Sequence, residues 1–464
     1  MPPGFFFPQN VRHAAGALLG AALLLATASA CRVLGGAEPA QTPPDSVTVL
    51  WAGGVTDSSA RIVARPARAN QTTRLAVDTS HTFATPRIVE GTPAATNPAV
   101  LHVRLADLAP ETTYHYALWK NGAVDTTQRG QFRTFPDGAA SFRVALGACA
   151  QTGSQHPVFH AIQRTDPDLF LHLGDLHYED ISTPAPPAFR RAYRQVHASE
   201  PQADLFRSTA LAYVWDDHDY GPNNSSRRAP GQDVAQRVYR EYVPHYPLAP
   251  EARARPIYQA FTVGRVRFLL TDLRSARTRN DAPDSTKTMM GAAQKAWFKA
   301  QLAQAKDRDR VVAWVSSVPW IGTPGDSEDH WGGFAAERRE LASYIDSIGI
   351  ADRLVVLSGD AHMVALDDGT HNRYGHANGG GFPVVHAAAL DRPGSVKGGP
   401  YTHGPYPNPF TLFGRRSGQF VLMDVRDDGE EEVCVTWTGK RYDPGSDQLR
   451  TLLTWDRCFS LPDG

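Results

Sequence analysis

Four apolar runs in this 464-residue chain end in groups that bind cations or move protons. FRVALG (142–147) leads into Ala148-Cys149, and DLFLHLG (168–174) into Asp175-Leu176-His177-Tyr178. LAYVW (211–215) leads into Asp216-Asp217-His218-Asp219, and RLVVLSG (353–359) into Asp360-Ala361-His362. Parallel strands in an open α/β sheet finish on one edge, and ligands bind there. The four segments are therefore expected to deliver a thiol, several carboxylates, a phenol and imidazoles to one place. Carboxylates gathered in that way repel and raise each other's pKa unless cations neutralise them. Metal binding is the simplest resolution. Thiolate with phenolate suits a ferric or similar ion, and carboxylate oxygens suit Ca²⁺, Mg²⁺ or Mn²⁺. Two such ions about 3.5–4 Å apart could clamp both oxygens of an in-line phosphoryl displacement.

The elements that must position these groups follow from pattern. After Ser141, strand-length apolar runs alternate with helical periodicity over 158–164, 188–197, 234–242, 292–306 and 335–347, which predicts an α/β domain over 141–464. Between 46 and 136 there are only short strand-like runs separated by turn residues (SVTVL, SARIVAR, RLAVD, VLHVRL, TYHYALW, GQFRTF), which predicts a β-sandwich. Its segment Leu108-Ala109-Pro110-Glu111-Thr112-Thr113-Tyr114 is similar to the tyrosine corner of fibronectin type III domains. At the N-terminus, Arg12 and His13 precede an apolar stretch over 14–26 and small residues before Cys31. That reads as a signal peptide over 1–30, a lipid-anchored Cys31 and a flexible linker over 31–45. A bacterial lipoprotein facing the periplasm or the cell surface is expected, touching membrane only through that lipid. Lys+Arg (47) and Asp+Glu (48) balance to a net charge of -1, which argues against specific nucleic-acid binding and against an acidic disordered chain. Of four cysteines, Cys434 and Cys458 are expected to bridge, which leaves Cys149 without a thiol partner.

These segments resemble the PhoD-type alkaline phosphatase/phosphodiesterase branch of the metallophosphoesterase (calcineurin-like) superfamily. Gly174-Asp175-Leu176-His177-Tyr178 is similar to its Gly-Asp-x-x-Tyr element, Trp215-Asp216-Asp217-His218-Asp219 to its Trp-Asp-Asp-His-Asp segment, and Gly359-Asp360-Ala361-His362 to its Gly-His-x-His element with Asp in first place. Phe268–Ser275 and Trp331-Gly332-Gly333-Phe334 also look like family segments. The resemblance implies a four-layer αββα sandwich preceded by a fibronectin-III-like β-sandwich. It implies a centre of Fe(3+) and Ca(2+) held by Cys149, Asp175, Tyr178, Asp217, Asp360 and His362, with Asp175 bridging. It further implies that a hydroxide between the metals attacks organic phosphate mono- or diesters, that His218 faces the phosphate, and that the enzyme is a monomer used for phosphate acquisition. One departure stands out: Ser316-Ser317-Val318-Pro319 lies where many relatives carry a metal-binding His.

Each residue also has a plainer reading. Cys149 alone is a small buried hydrophobe. Arg274, expected as a phosphate clamp, is otherwise an ion pair holding a loop. His177 reads as packing, Asn223 and Asn224 as a turn, and Asp367, Asp368 and Asn372 as a solvated turn more than a Ca²⁺ cluster. Two other functions stay open: a surface binding or adhesion protein on a degenerate phosphoesterase fold, and a Ca²⁺-only phosphatase with a structural Cys149. The choice between mono- and diester falls to loops such as 379–404.

Overall fold

The computed structural model describes residues 47–67, 74–248, 256–308, 310–325, 329–375, 379–409 and 416–461. The expected signal peptide, Cys31 and linker lie outside them.

Strands Phe142–Gly147, Leu169–His172 and Ala210–Tyr213 pair in parallel, side by side, in the centre of a ten-stranded sheet. A second sheet of seven strands has its own parallel centre, Val266–Leu270, Val311–Ser316, Leu354–Ser358 and Val384–Ala387. The near-continuous apolar runs are explained by burial on both faces. Successive side chains point to opposite faces of a strand. Val311, Ala313 and Val315 accordingly join a core shared with Val144, Leu146 and Leu171 of the larger sheet. Val312 and Trp314 join a different core with Phe298 and Leu302 of helix Gly291–Asp307 and Leu341 and Ile345 of helix Ala335–Ile348. On the larger sheet, Phe206 of helix Glu200–Ser208 stacks on Phe170. The chain is thus mixed α/β with several sheets and helices packed against them.

The expected N-terminal strands form, but not as a module set apart. Val47–Gly53, Ala60–Pro66, Asn97–Leu105 and Thr92–Ala94 extend the ten-stranded sheet, and Arg87–Glu90, Arg74–Asp78, Thr113–Lys120 and Ala123–Arg133 make a separate four-stranded one. The join is the parallel pair Gly53↔Leu211. Only glycine allows it, because a Cβ on residue 53 would strike the carbonyl oxygens of Leu211 and Pro244. Tyr114 Oη accepts from the Ala109 amide at 2.9 Å, the bond a tyrosine corner makes. At the other end of the large sheet, Cys434 and Cys458 face each other across antiparallel strands at disulfide distance. Among the described residues no helix is long and apolar enough to cross a membrane.

Candidate metal centre

Gly147, His172 and Tyr213 are in register across the three parallel strands, so the chain leaves all three at one level. Cys149, Asp175 and Asp217 follow within a few residues. The facing sheet brings Asp360 and His362 just past Leu354–Ser358. Cys149 (φ 62°), Asp175 (φ 56°) and Asp360 (φ 68°) all take the left-handed backbone conformation. For residues with a Cβ this costs on the order of 1–3 kcal/mol each and marks sites the surroundings over-determine. Here the Cys149 amide donates to the Gly174 carbonyl at 3.1 Å and the Ala150 amide to the Asp175 carbonyl at 2.9 Å. These bonds tie the first two strand ends together.

One group of four donors closes tightly. Cys149 Sγ lies 3.5 Å from Asp175 Oδ2. Tyr178 Oη donates to the same oxygen at 2.8 Å and stands 3.0 Å from His362 Nε2. His362 Nδ1 is 2.5 Å from the Pro393 carbonyl, which can only accept, so Nδ1 carries the proton. Burial, opposed by that bond, lowers the imidazole pKa to about 4, so the ring is neutral and Nε2 offers a lone pair. Tyr178 has one proton for two acceptors. While Asp175 is ionised one acceptor is therefore left facing a lone pair, and either a proton or a cation resolves it.

A second set is formed by Asp175, Asp217 and His218, whose ligating atoms lie within 4.8 Å of one another. Asp175 Oδ1, Asp217 Oδ1 and Asp360 Oδ2 are buried and accept no hydrogen bond among the described residues. Each such orphan costs about 1–3 kcal/mol, and more when charged. Burial, then the charges of Asp217 and Asp216, push Asp175 well above the usual carboxylate range. Burial raises Asp360 to about 6, with the Lys397 ammonium opposing it. Burial and the Asp175 charge likewise raise the Cys149 thiol and the Tyr178 phenol. Without cations this cluster would hold its protons; with them it is a mixed sulfur, nitrogen and oxygen donor set. The residues present fit a metal centre: Cys149, Tyr178 and His362 gather at Asp175, which Asp217 also approaches, and Asp360 adds a buried oxygen that accepts no hydrogen bond among the described residues.

The surrounding charges are arranged by Arg274 together with two residues the sequence left unread, Arg277 and Asp329. Arg274 is 0% exposed. Its Nε donates to Asp216 at 2.6 Å, and its Nη1 and Nη2 reach Asp329 at 3.2 and 3.0 Å. Nη2 also lies 3.5 Å from Asp217. Arg277 adds a 2.5 Å bond to Asp329. Burial works to raise Asp217, but Arg274 with the other favourable contacts outweighs it, so this carboxyl sits below its ordinary value. Arg274 thus makes the ion-pair bonds of its plainer reading. Ser317, in the position noted for its missing His, donates to Asp216 at 2.8 Å and so props the Arg274 partner.

His218 lies over Tyr178 with ring centroids 4.0 Å apart, and its Nδ1 meets Asp180 at 2.7 Å. That bond occupies Nδ1 and leaves Nε2 as the other ring nitrogen. Asp219 accepts from the His177 and Asp216 amides at 3.0 and 3.1 Å, fixing the turn that presents Asp217 and His218. His177 is buried beside the Tyr193 ring, as packing. Asn224 is left-handed at φ 60° and its amide binds Asp217 Oδ2 at 2.6 Å, so the turn reading and the site meet there. Asp367 accepts from the amides of Gly369 and His371, from the His371 ring and from Asn372; it organises a turn. Asp329 could have been suspected from its place two residues before Trp331, but nothing local announces that its partners are Arg274 and Arg277.

A family model described as PhoD-like phosphatase matches residues 144–387. Among solved structures, that of PhoD is similar with a TM-score of 0.67 and 17% identity, covering 89% of this chain and 90% of that one. The structure of purple acid phosphatase PPD1 from yellow lupin (Lupinus luteus) is similar with a TM-score of 0.58 and 14% identity, covering 89% and 74%. No curated protein matches the sequence.

Proposed function

The chain belongs to the PhoD-like phosphatase family, a family of phosphoesterases, and on that premise we propose that it is an exported, metal-dependent alkaline phosphatase/phosphodiesterase. It releases phosphate from small organic esters for the cell's use, from a position held by a lipid on Cys31. On this reading the layers correspond to the αββα sandwich, and the N-terminal strands, several of which continue its larger sheet, to the fibronectin-like β region. The observation that carries the reading is the meeting of Cys149, Asp175, Tyr178 and His362, beside three buried carboxylate oxygens that accept no hydrogen bond among the described residues.

Cys149, Asp175, Tyr178 and His362 would hold a ferric-type ion, and Asp175, Asp217 and Asp360 a Ca²⁺-type ion. When bound, the metals supply positive charge that polarises the phosphoryl group and acidifies water to a pKa near about 7, hence activity from neutral to alkaline pH. The protein's own part is orientation. Asp180 holds His218 through Nδ1, so Nε2 is free to stabilise or protonate the leaving oxygen. Pro393 fixes the His362 tautomer. Arg274 and Arg277 balance Asp216 and Asp329 behind the site, which keeps Asp217 ionised.

Hydrolysis of p-nitrophenyl phosphate and bis(p-nitrophenyl) phosphate, with metal analysis of natively exported protein, tests this reading. Turnover lost on chelation and restored by Fe³⁺ with Ca²⁺ is expected. Failure to cleave either ester with any metal supplement would return the protein to a binding or adhesion role.

A further inference from the structure

An acid-rich centre that takes an anionic ester needs a cation on its open side. Arg274 cannot serve: it is fully buried and already bound to Asp216, Asp329 and the Ser225 carbonyl. Lys397 is differently placed. Its side chain is 36% exposed, and Nζ is 2.7 Å from Asp360 Oδ1. Asp360 Oδ2 is left buried and unpartnered. One carboxylate oxygen thus anchors the lysine while the other remains for a metal. An ammonium carries three N–H donors, and Asp360 uses one. Among the described residues the others have no partner.

The loop beneath Lys397 is seated firmly. Gly399 N donates to the Ile321 carbonyl at 3.3 Å, and Tyr401 Oη donates to the Lys397 carbonyl at 3.3 Å. Gly398 has φ +72°, and a Cβ there would collide with the Ile321 carbonyl oxygen. The ammonium is therefore held at a fixed, partly exposed place beside Asp360.

We propose that Lys397 is the substrate-phosphate clamp, donating from Nζ to a non-bridging oxygen of the ester while Asp360 holds it in position. This rests on the phosphoesterase reading and assigns it a binding residue. Charge-assisted hydrogen bonds of this kind are among the strong ones, so their loss reads as about a 10- to 100-fold weakening.

The test uses the metal-loaded full chain, with Lys397→Met and Lys397→Arg. KM and kcat for p-nitrophenyl phosphate, the Kd of inorganic phosphate by calorimetry, and metal content are measured together. In Lys397→Met, KM and the phosphate Kd should rise together by about 10- to 100-fold, kcat should fall less, and metal content should hold. Lys397→Arg should recover most of the loss. An unchanged phosphate Kd in Lys397→Met overturns the proposal. So does a rise in KM that only tracks lost metal, which would make Lys397 a support for Asp360. If the wild type binds phosphate through Lys397 yet cleaves no ester, the clamp stands and the enzyme reading fails.

Discussion

Replacing Arg274 with Met should unfold the protein more readily before it changes how substrate binds. The guanidinium makes hydrogen bonds to Asp216 at 2.6 Å and to Asp329 at 3.2 and 3.0 Å, and it approaches Asp217 at 3.5 Å, all without exposure to water. Methionine fills similar apolar volume but leaves three carboxylates without the guanidinium they share. Removing one partner from a buried ion pair costs about 3–5 kcal/mol, because the remaining charge has neither water nor counter-ion. The shared network puts this case at the upper end of about 5 kcal/mol. Linkage gives it a pH signature. Burial works to raise Asp329, but Arg274 and Arg277 hold it well below its ordinary value. A depressed folded-state pKa contributes stability above the unfolded value, and that stability is lost as pH falls through the folded one. The wild type therefore gains from Asp329 at pH 7. In Arg274→Met much of that gain is gone, so the gap between the two proteins should still be present at pH 4 and should narrow only as pH falls below the ordinary carboxyl value of 3.8. Denaturant midpoints at pH 7, at pH 4 and at about pH 2 measure this, with KM for p-nitrophenyl phosphate at pH 7 alongside. A variant with unchanged midpoints and a raised KM would refute the reasoning and restore Arg274 as a phosphate clamp.

Cys149→Ser keeps volume and removes the soft donor; iron content by elemental analysis should fall with the rate, whereas unchanged iron and rate would leave a Ca²⁺-only centre. Asp180→Asn should lower kcat by about 10- to 100-fold, because His218 loses its orienting carboxylate, with metal content unchanged. A kcat equal to wild type would remove Asp180 from the machinery. Serine at both Cys434 and Cys458 opens a loop of sequence separation 24 and should cost about 2–3 kcal/mol in thermal melts, with no change in KM.

What sequence could and could not convey divides by range. Cys149, Asp175, Tyr178, Asp217, Asp360 and His362 were legible because each ends or follows an apolar run, and sheet topology gathers strand ends without needing side-chain detail. Asp216 was visible only as a neighbour of Asp217, and its bond to Arg274 spans 58 residues. Asp329 and Lys397 sit in loops, where local pattern carries no period to read. The N-terminal strands were legible as strands from their alternation. Their continuation into the large sheet hinges on Gly53, and a glycine in a strand announces close approach without saying to what.

The two flanks of the large sheet bear on how far this protein can be shortened. Strand Phe142–Gly147 pairs on one side with Gly418–Arg426, and strand Ala210–Tyr213 meets Val47–Gly53 on the other. A fragment trimmed to 144–387 would strip both neighbours and bare backbone on the strands that deliver Cys149 and Asp217. Such a piece would be sticky and short of its centre, so recombinant work has to keep residues well beyond the family boundaries at each end.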